Sequence, residues 1–251
     1  MLIYLVLALA GLGAGALNAV AGGGTFLSFP ALVWAGVPPV MANATATFAA
    51  LPGYVGSAWA YRGEIAGAGR PSLAALSGTA IAGGLVGAGL LLVTPEALFS
   101  GVVPWLLLLA TLAFAGGPLL MRGLARRGHS ASTPVALAIL FGVSAYGGYF
   151  NGGLGIMLLA AFGLIGMTDL HRMNGLKNLL SLVLSLVSVV TYSLAGLIAW
   201  ESLVLVGLCC AIGGYIGAGL ARRIGNTVLL RRFIILVGLG MSALFFLKGA
   251  A

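Results

Sequence analysis

Two glycine-rich segments that interrupt apolar sequence are candidate ligand-binding segments. They read NAVAGGGTF at residues 18–26 and YFNGGLGIM at residues 149–157. Glycine breaks helices and lets backbone approach a ligand, and helices restarting there would direct N–H groups and partial positive charge at an anion. The alternative is that these glycines only allow close helix packing. We predict an anion site that includes Asn18, Gly23, Gly24, Thr25, Asn151, Gly153 and Gly155.

A polar stripe follows each glycine segment at three-and-four spacing, which indicates one face of a helix. The first stripe contains Asn43, Thr47, Tyr54, Ser57 and Tyr61, with Thr45 beside it, and the second contains Asn174, Asn178, Ser181, Ser185, Ser188 and Tyr192. Because a polar face is costly against lipid, we expect both stripes to face the protein interior. Hydrogen bonding between helices, about 0.6 kcal/mol per contact, is the alternative role. It is favoured for the serines, whereas we favour a ligand site for Asn43 and Asn174.

Lys177 lies within the second stripe, about eight residues into its predicted helix and hence roughly 12 Å deep. A lysine at the centre of a bilayer costs about 2.5–3.5 kcal/mol on insertion scales, so a buried one usually has a partner. The acidic residues fall in predicted loops or at the ends of spans. A bound anion is therefore one natural partner for Lys177. The alternative is that its ammonium group reaches the interface beside His171 and Arg172.

The composition predicts that these residues lie in a membrane protein. Of 251 residues, 61% are hydrophobic and 6% are charged, whereas a soluble domain carries about a quarter charged residues. The expected fold is an all-α polytopic membrane protein. Apolar runs able to cross a hydrocarbon core of about 30 Å occupy residues 40–61, 72–93, 98–121, 170–192, 201–221 and 229–248.

Residues 1–36 and 134–166 are too short for two crossings and too long for one comfortable helix. Two arms of about 15 residues would each reach only ~22 Å. We therefore expect each segment to form a re-entrant helical hairpin with its tip near the middle of the membrane. A long tilted helix broken at glycine is the alternative.

An internal repeat relates the two halves of the chain. An offset of 131 residues pairs Gly22 with Gly153, Asn43 with Asn174 and Tyr61 with Tyr192. One residue of slippage then aligns GGLVGAGL at 83–90 with GGYIGAGL at 213–220, where we expect the glycines to serve tight helix packing. The predicted units are a first transmembrane repeat at 1–121, a basic linker at 122–133 and a second repeat at 134–251.

Charge predicts the orientation of the repeats. Positive residues concentrate in loops 62–70, 122–133 and 222–232, including Arg62, Arg70, Arg222 and Arg223, and the corresponding loops of the other half lack them. Basic loops stay in the cytoplasm. Matching loops thus lie on opposite sides, which predicts two inverted-topology repeats, each a hairpin plus three transmembrane helices, as in many transporters.

Other classes of function find little support. The net charge of +8 is explained by topology-setting loops, so we expect no nucleic-acid partner. Cys209 and Cys210 are adjacent and read as small core residues. His129 and His171 lie in predicted loops or at the interface, so we expect neither an enzyme nor a metal or other cofactor. The N-terminus lacks a positive leader region, so we expect the first segment to be retained.

The segments NAVAGGGTFLSFPALVWAGVPPVMANATAT and GGYFNGGLGIMLLAAFGLIGMTDLHRMNGLKNLLS resemble the sulfite exporter TauE/SafE family, also called the 4-toluene sulfonate uptake permease family. The resemblance covers both halves. It implies a carrier for sulfite or organosulfonates in the bacterial inner membrane. It also implies a substrate site between the repeats that corresponds to Asn43, Thr45, Thr47, Asn174, Lys177 and Asn178.

The resulting expectation is a secondary transporter whose partners are a small anion and the lipid bilayer. No ATP-binding P-loop is present, and no carboxylate within the spans is available for a proton relay. An anion channel, or a carrier for another organic anion such as a carboxylate, remains the alternative. The substrate, the transport direction, the coupling ion and the formation of a homo-oligomer stay open.

Overall fold

The computed structural model describes residues 1–20, 22–65, 71–127, 132–221 and 227–249, and this part of the chain forms helices and no strands. The prediction of an all-α fold is confirmed. The first half contains α1 (Leu2–Val20), α2 (Thr25–Trp34), α3 (Pro39–Ala60), α4 (Arg62–Ile65), α5 (Leu73–Val93) and α6 (Glu96–Arg127). The second half contains α7 (Thr133–Tyr149), α8 (Leu154–Leu164), α9 (Leu170–Leu194), α10 (Trp200–Ala221) and α11 (Thr227–Gly249).

Five of these helices contain a segment long and apolar enough to cross a membrane, in α1, α5, α6, α9 and α10. The prediction of a polytopic membrane protein is thereby supported. Helix α3 has 22 residues and would extend about 33 Å, but its Asn43, Thr45 and Thr47 lower its apolar character. The helices start and end close to the boundaries predicted for the six spans.

The two remaining segments each fold back on themselves. A Cβ added at Gly13 of α1 would lie 3.0 Å from Leu27 of α2, and one added at Gly24 would lie 2.3 Å from the carbonyl oxygen of Ala14. A straight helix would separate Gly13 from Leu27 by about 21 Å. The chain therefore reverses between α1 and α2. We call α1–α2 the first hairpin and α7–α8 the second hairpin.

The arms of both hairpins are unequal, so the prediction of two arms of about 15 residues each was wrong. Helices α1 and α2 have 19 and 10 residues, and α7 and α8 have 17 and 11. The reversal occurs where glycine permits it rather than midway. Gly22 has φ of 77° and Gly153 has φ of 74°, a left-handed conformation that other residues rarely adopt. The two glycines are repeat-mates.

Close glycine contacts hold each hairpin against a helix of the other half. Helix α1 packs on α10 and helix α5 on α7. A Cβ added at Gly87 would lie 2.0 Å from the carbonyl oxygen of Ala145, and one at Gly213 would lie 2.0 Å from that of Leu12. The packing role predicted for GGLVGAGL and GGYIGAGL is confirmed, because only glycine allows the helices to come this close.

Repeat-mate helices pack against each other in opposite directions. At the C-terminal end of α3, Tyr61 lies beside Gly175 near the start of α9, whereas Thr45 near the start of α3 binds the amide of Ala199, beyond the end of α9. Helices α6 and α11 also pack against each other in opposite directions. Gly238 of α11 contacts Thr111, and the rings of Trp105 and Phe246 lie 4.9 Å apart.

These contacts define two ends of the molecule. Arg62 and Arg172 lie at one end, which we call the basic end. At the other, which we call the acidic end, Glu96 accepts a hydrogen bond from the amide of Val40 at 3.0 Å. Glu201, in the first turn of α10, also lies there.

The predicted linker is partly helical. Helix α6 continues to Arg127, so residues 122–127 extend a helix, in keeping with the helix-forming tendency of leucine, alanine and arginine. The predictions for Arg70, His129, Arg222 and Arg223 fall outside the described residues. Cys210 is buried in the core, as predicted, whereas Cys209 is partly exposed.

Candidate functional site

The turns of the two hairpins meet in the interior of the molecule. A Cβ added at Gly22 would lie 3.6 Å from Cα of Gly155, and one added at Gly155 would lie 3.4 Å from the carbonyl oxygen of Gly22. Nearby, the rings of Phe29 and Phe150 pack edge to face with centroids 5.6 Å apart. The backbones of the two turns are therefore in direct van der Waals contact at Gly22 and Gly155.

Lys177 extends from α9 into this junction. Its Nζ would lie 3.6 Å from a Cβ at Gly22, and its Cδ 3.3 Å from a Cβ at Gly155. Nζ donates a hydrogen bond to Oδ1 of Asn174 at 3.3 Å, and the residue is only 6% exposed. The ammonium group therefore points into the interior, against glycines from both hairpins, instead of reaching the interface.

The junction carries no negative side chain, because all four acids of the chain are exposed at helix ends. Glu64 lies in α4, and Glu96 and Glu201 lie in the first turns of α6 and α10. Asp169 caps α9, where its Oδ1 accepts from the amides of His171 and Arg172. The prediction that the acids lie in loops or at span ends is confirmed. No carboxylate of the four acidic side chains therefore neutralises the ammonium group of Lys177.

Both polar stripes are largely buried, as predicted. On α3 these buried residues include Asn43, Thr47 and Tyr54. On α9 they are Asn178, Ser181, Ser185, Ser188 and Tyr192. Asn43 donates from Nδ2 to the carbonyl oxygen of Tyr149 at 3.0 Å, and Thr47 donates to the carbonyl oxygen of Asn43 at 2.8 Å. The first stripe is therefore attached to the second hairpin.

Asn151 links three elements in the core. Its Oδ1 accepts from the hydroxyl of Tyr54 on α3 at 3.1 Å, and its Nδ2 donates to Oγ of Ser185 on α9 at 2.9 Å. Both halves of the amide are engaged, and the residue is 2% exposed. Asn151 thus fixes the second turn between the two stripes.

Of the other predicted site residues, Asn18, Gly23, Gly24 and Thr25 belong to the first turn, whereas Thr45 lies toward the acidic end, away from Lys177. Gly24 donates its amide to Oδ1 of Asn18 at 2.8 Å, which closes the first turn. Thr25 is buried at the start of α2, and a Cβ at Gly23 would make an ordinary contact with Phe26. Thr45 accepts from the amide of Ala199 at 3.0 Å and so ties α3 to the loop before α10.

Gly22 is the residue that sequence reasoning missed. It was counted in the repeat, yet the predicted site contained Gly23 and Gly24 instead. The structure brings Gly22, Gly155, Asn174 and Lys177 together. The sequence contained a signal for Gly22, because its repeat-mate Gly153 is in the predicted site. Both turns need a glycine in the left-handed conformation.

Three buried polar atoms of the predicted turns and stripes have no hydrogen-bond partner within the described part of the chain. They are Nδ2 of Asn18, Oδ1 of Asn43 and Oγ of Ser181. An unsatisfied buried polar group costs about 1–3 kcal/mol. Such atoms are expected where a polar ligand or water completes the hydrogen bonding.

The chain matches one family model along almost its whole length. The model is described as sulfite exporter TauE/SafE and matches residues 7–245, which confirms the resemblance seen in the sequence. No curated protein and no solved structure matches the chain.

Proposed function

The chain belongs to the sulfite exporter TauE/SafE family of membrane transporters, and from that premise we propose that it is a secondary transporter for sulfite or an organosulfonate in the bacterial inner membrane. The substrate binds at the junction of the two hairpins. Lys177 and Asn174 contact it directly, and the glycine turns admit it close to the backbone.

The observation that carries this proposal is the buried ammonium group of Lys177. Burying an unpaired charge costs several kcal/mol, and the only carboxylates of the chain are exposed at helix ends. A sulfur oxyanion supplies both the missing negative charge and several acceptor oxygens. Charge-assisted hydrogen bonds of this kind are stronger than neutral ones. The unpartnered donors of Asn18 and Ser181 are further groups that such a ligand, or its water, satisfies.

The same packing supports an inverted repeat. Mates related by inverted topology run antiparallel where they meet, as α3 does with α9 and α6 with α11. The two hairpins also make equivalent contacts with the other half. Helix α1 packs on α10, and their repeat-mates α7 and α5 pack on each other in the same way. We propose that the pseudo-twofold axis passes through the hairpin junction, with the basic end in the cytoplasm. The substrate then lies at the repeat interface, where secondary transporters bind.

Membrane potential provides sufficient driving force for export. An interior-negative potential contributes about 2.3 kcal/mol per elementary charge per 100 mV, and it drives an anion outward. Export therefore needs no proton-coupling carboxylate in the interior. Uptake of the same anion would require a coupled ion or proton.

Anion flux in proteoliposomes tests the site. We expect Lys177→Ala and Asn174→Ala each to weaken transport of sulfite and of small sulfonates, Lys177→Ala by about tenfold or more, because hydrogen bonds to charged groups contribute about 1.5–3 kcal/mol. Arg62→Ala is the matched control, because it removes an exposed positive charge at the basic end and should leave flux within about twofold.

Unchanged flux in both site variants would refute the site while leaving the fold intact. Saturable, exchange-stimulated flux is expected for a carrier, whereas large unitary currents would indicate a channel. Competition by small carboxylates at equal concentration would indicate a different organic anion as the substrate.

A further inference from the structure

A cavity of 550 Å³ opens between α1, α3 and α10. Its lining includes Ala19 beside the first turn, Ser57 and Tyr61 of the first stripe, and Glu64 at the basic end. It is spacious around α3, because a Cβ added at Gly53 or Gly56 would meet nothing within 4 Å. The cavity therefore extends from Ala19, which precedes the first turn in the chain, to Glu64 at the basic end, and it opens to the surface beside Tyr215, which is 86% exposed.

The repeat-related region between α7, α9 and α5 is closed. Tyr192, the mate of Tyr61, donates its hydroxyl hydrogen to the carbonyl oxygen of Gly148 on α7. Ser188, the mate of Ser57, is fully buried at 0% exposure. Next to them, a Cβ at Gly84 of α5 would lie 3.2 Å from Cβ of Leu184. Helix α9 is thus sealed against both α7 and α5 on the side toward the acidic end.

The two regions are built from mates in the repeat, yet one is open and the other is sealed. We propose that Tyr61 and Tyr192 are reciprocal gate residues. In the state seen here, Tyr192 closes the path toward the acidic end and Tyr61 lines the open path toward the basic end. In the opposite state, Tyr61 donates to the carbonyl oxygen of Leu17, the residue 131 positions before Gly148, and Tyr192 releases α7.

A difference between the repeats accounts for which state the structure adopts. Leu184, which packs against Gly84, corresponds to Gly53 in the first repeat. Closing the first path therefore buries one leucine side chain less than closing the second. Because close side-chain packing stabilises helix contacts in a membrane, the state open to the basic end is the favoured one in the absence of substrate.

Cysteine accessibility tests this proposal, which rests on the proposed transport function. In a chain carrying Cys209→Ala and Cys210→Ala, Ser57→Cys and Ser188→Cys form a matched pair. A membrane-impermeant thiol reagent should modify Ser57→Cys from the basic end. Without substrate, Ser188→Cys should react much more slowly from either side. Sealed vesicles of both orientations distinguish the two sides.

The two tyrosine variants should shift the labelling rate of Ser188→Cys in opposite directions. Tyr192→Phe removes the hydrogen bond that closes the second path, so Ser188→Cys should react about 2- to 12-fold faster from the acidic end. Tyr61→Phe removes the bond that stabilises the opposite state, so the labelling of Ser188→Cys from the acidic end should fall by a similar factor, with or without sulfite. A purely structural role for either tyrosine would not produce changes of opposite sign.

Failure of the gates and failure of the function are distinguishable. Equal labelling of the two cysteines in the parent chain, or no change with either phenylalanine, would overturn the gate proposal even if sulfite flux is intact. Opposite shifts without flux of any sulfur oxyanion would keep the gates and refute the substrate. Thermal unfolding of the Tyr192→Phe variant in detergent close to that of the parent verifies that the variant is folded.

Discussion

The ammonium group of Lys177 lies in an interior where few groups can stabilise its charge. An ammonium group inside a bilayer costs about 2.5–3.5 kcal/mol on insertion scales, and here its aliphatic part lies along Gly155 while its charged end lies against Gly22. Asn174 offers one acceptor, which satisfies one of the three ammonium donors. An anion able to accept the remaining donors complements this arrangement.

Gly22→Ala tests the turn that supports this lysine. Because φ is 77° at Gly22, alanine there costs about 1–2 kcal/mol through its backbone conformation alone, since its methyl group would make only ordinary contacts with Nζ of Lys177 and Cα of Gly155 at 3.6 Å. We expect the apparent melting temperature in detergent to fall by a few degrees, at about 2–4 °C per kcal/mol, together with loss of sulfite flux. Gly23→Ala, whose Cβ makes an ordinary contact with Phe26, should retain both. Equal behaviour of the two variants would contradict this role.

The helices approach one another through glycine on one face only. Helix α5 shows this directly, since Gly83, Gly84 and Gly87 face α7 or α9 while Gly78 and Gly89 have open space around them. In a membrane, association depends on close packing more than on burial from water. The contribution of a glycine to helix packing therefore depends on which face of the helix it occupies, and not on how many glycines the sequence contains.

Gly87→Ala and Gly89→Ala form a matched pair within α5. The new methyl group of Gly87→Ala would lie 2.0 Å from the carbonyl oxygen of Ala145, so α7 must shift, at a cost of about 1–3 kcal/mol. Gly89→Ala meets no atom and gains up to about 1 kcal/mol of helix propensity. Thermal unfolding in detergent should show Gly87→Ala less stable than the parent and Gly89→Ala equal or more stable. The reverse order would show that α5 and α7 do not pack as described.

The molecule as a whole has a basic and an acidic end, separated by the length of α3, about 33 Å for 22 residues. That length suits a hydrocarbon core of about 30 Å. Repeat-mate positions at the ends of α3 and α9 therefore lie at opposite ends. An inverted repeat in the membrane requires this separation.

Gly63→Cys and Leu194→Cys test the inverted topology, because the two positions are mates and both are exposed. In a chain without its own cysteines, an impermeant thiol reagent should reach Gly63→Cys only in inside-out vesicles and Leu194→Cys only in right-side-out vesicles. The expectation follows from the preference of basic loops for the cytoplasm. Labelling of both positions from the same side would contradict it.

Several features of this protein could be predicted from local sequence alone. The positions of the long helices followed from apolar length, although among the described residues the five helices long and apolar enough to cross a membrane include α1 and not α3 or α11. The inward direction of the polar stripes followed from the cost of polar groups against lipid. The reversal of the chain within each hairpin followed from glycine in an apolar context. Each depends on one residue's preference for solvent or backbone conformation, which neighbours in the tertiary structure rarely overturn.

The arrangement of the site depended on contacts between residues far apart in the chain. Only the structure brought Gly22 against Gly155 and Lys177, engaged both ends of the Asn151 amide, and turned Thr45 toward Ala199. Only the structure showed a cavity beside Tyr61 and close packing around Tyr192. Residue spacing places a side chain on a face of its helix, but the partner that it meets is set by how whole helices pack.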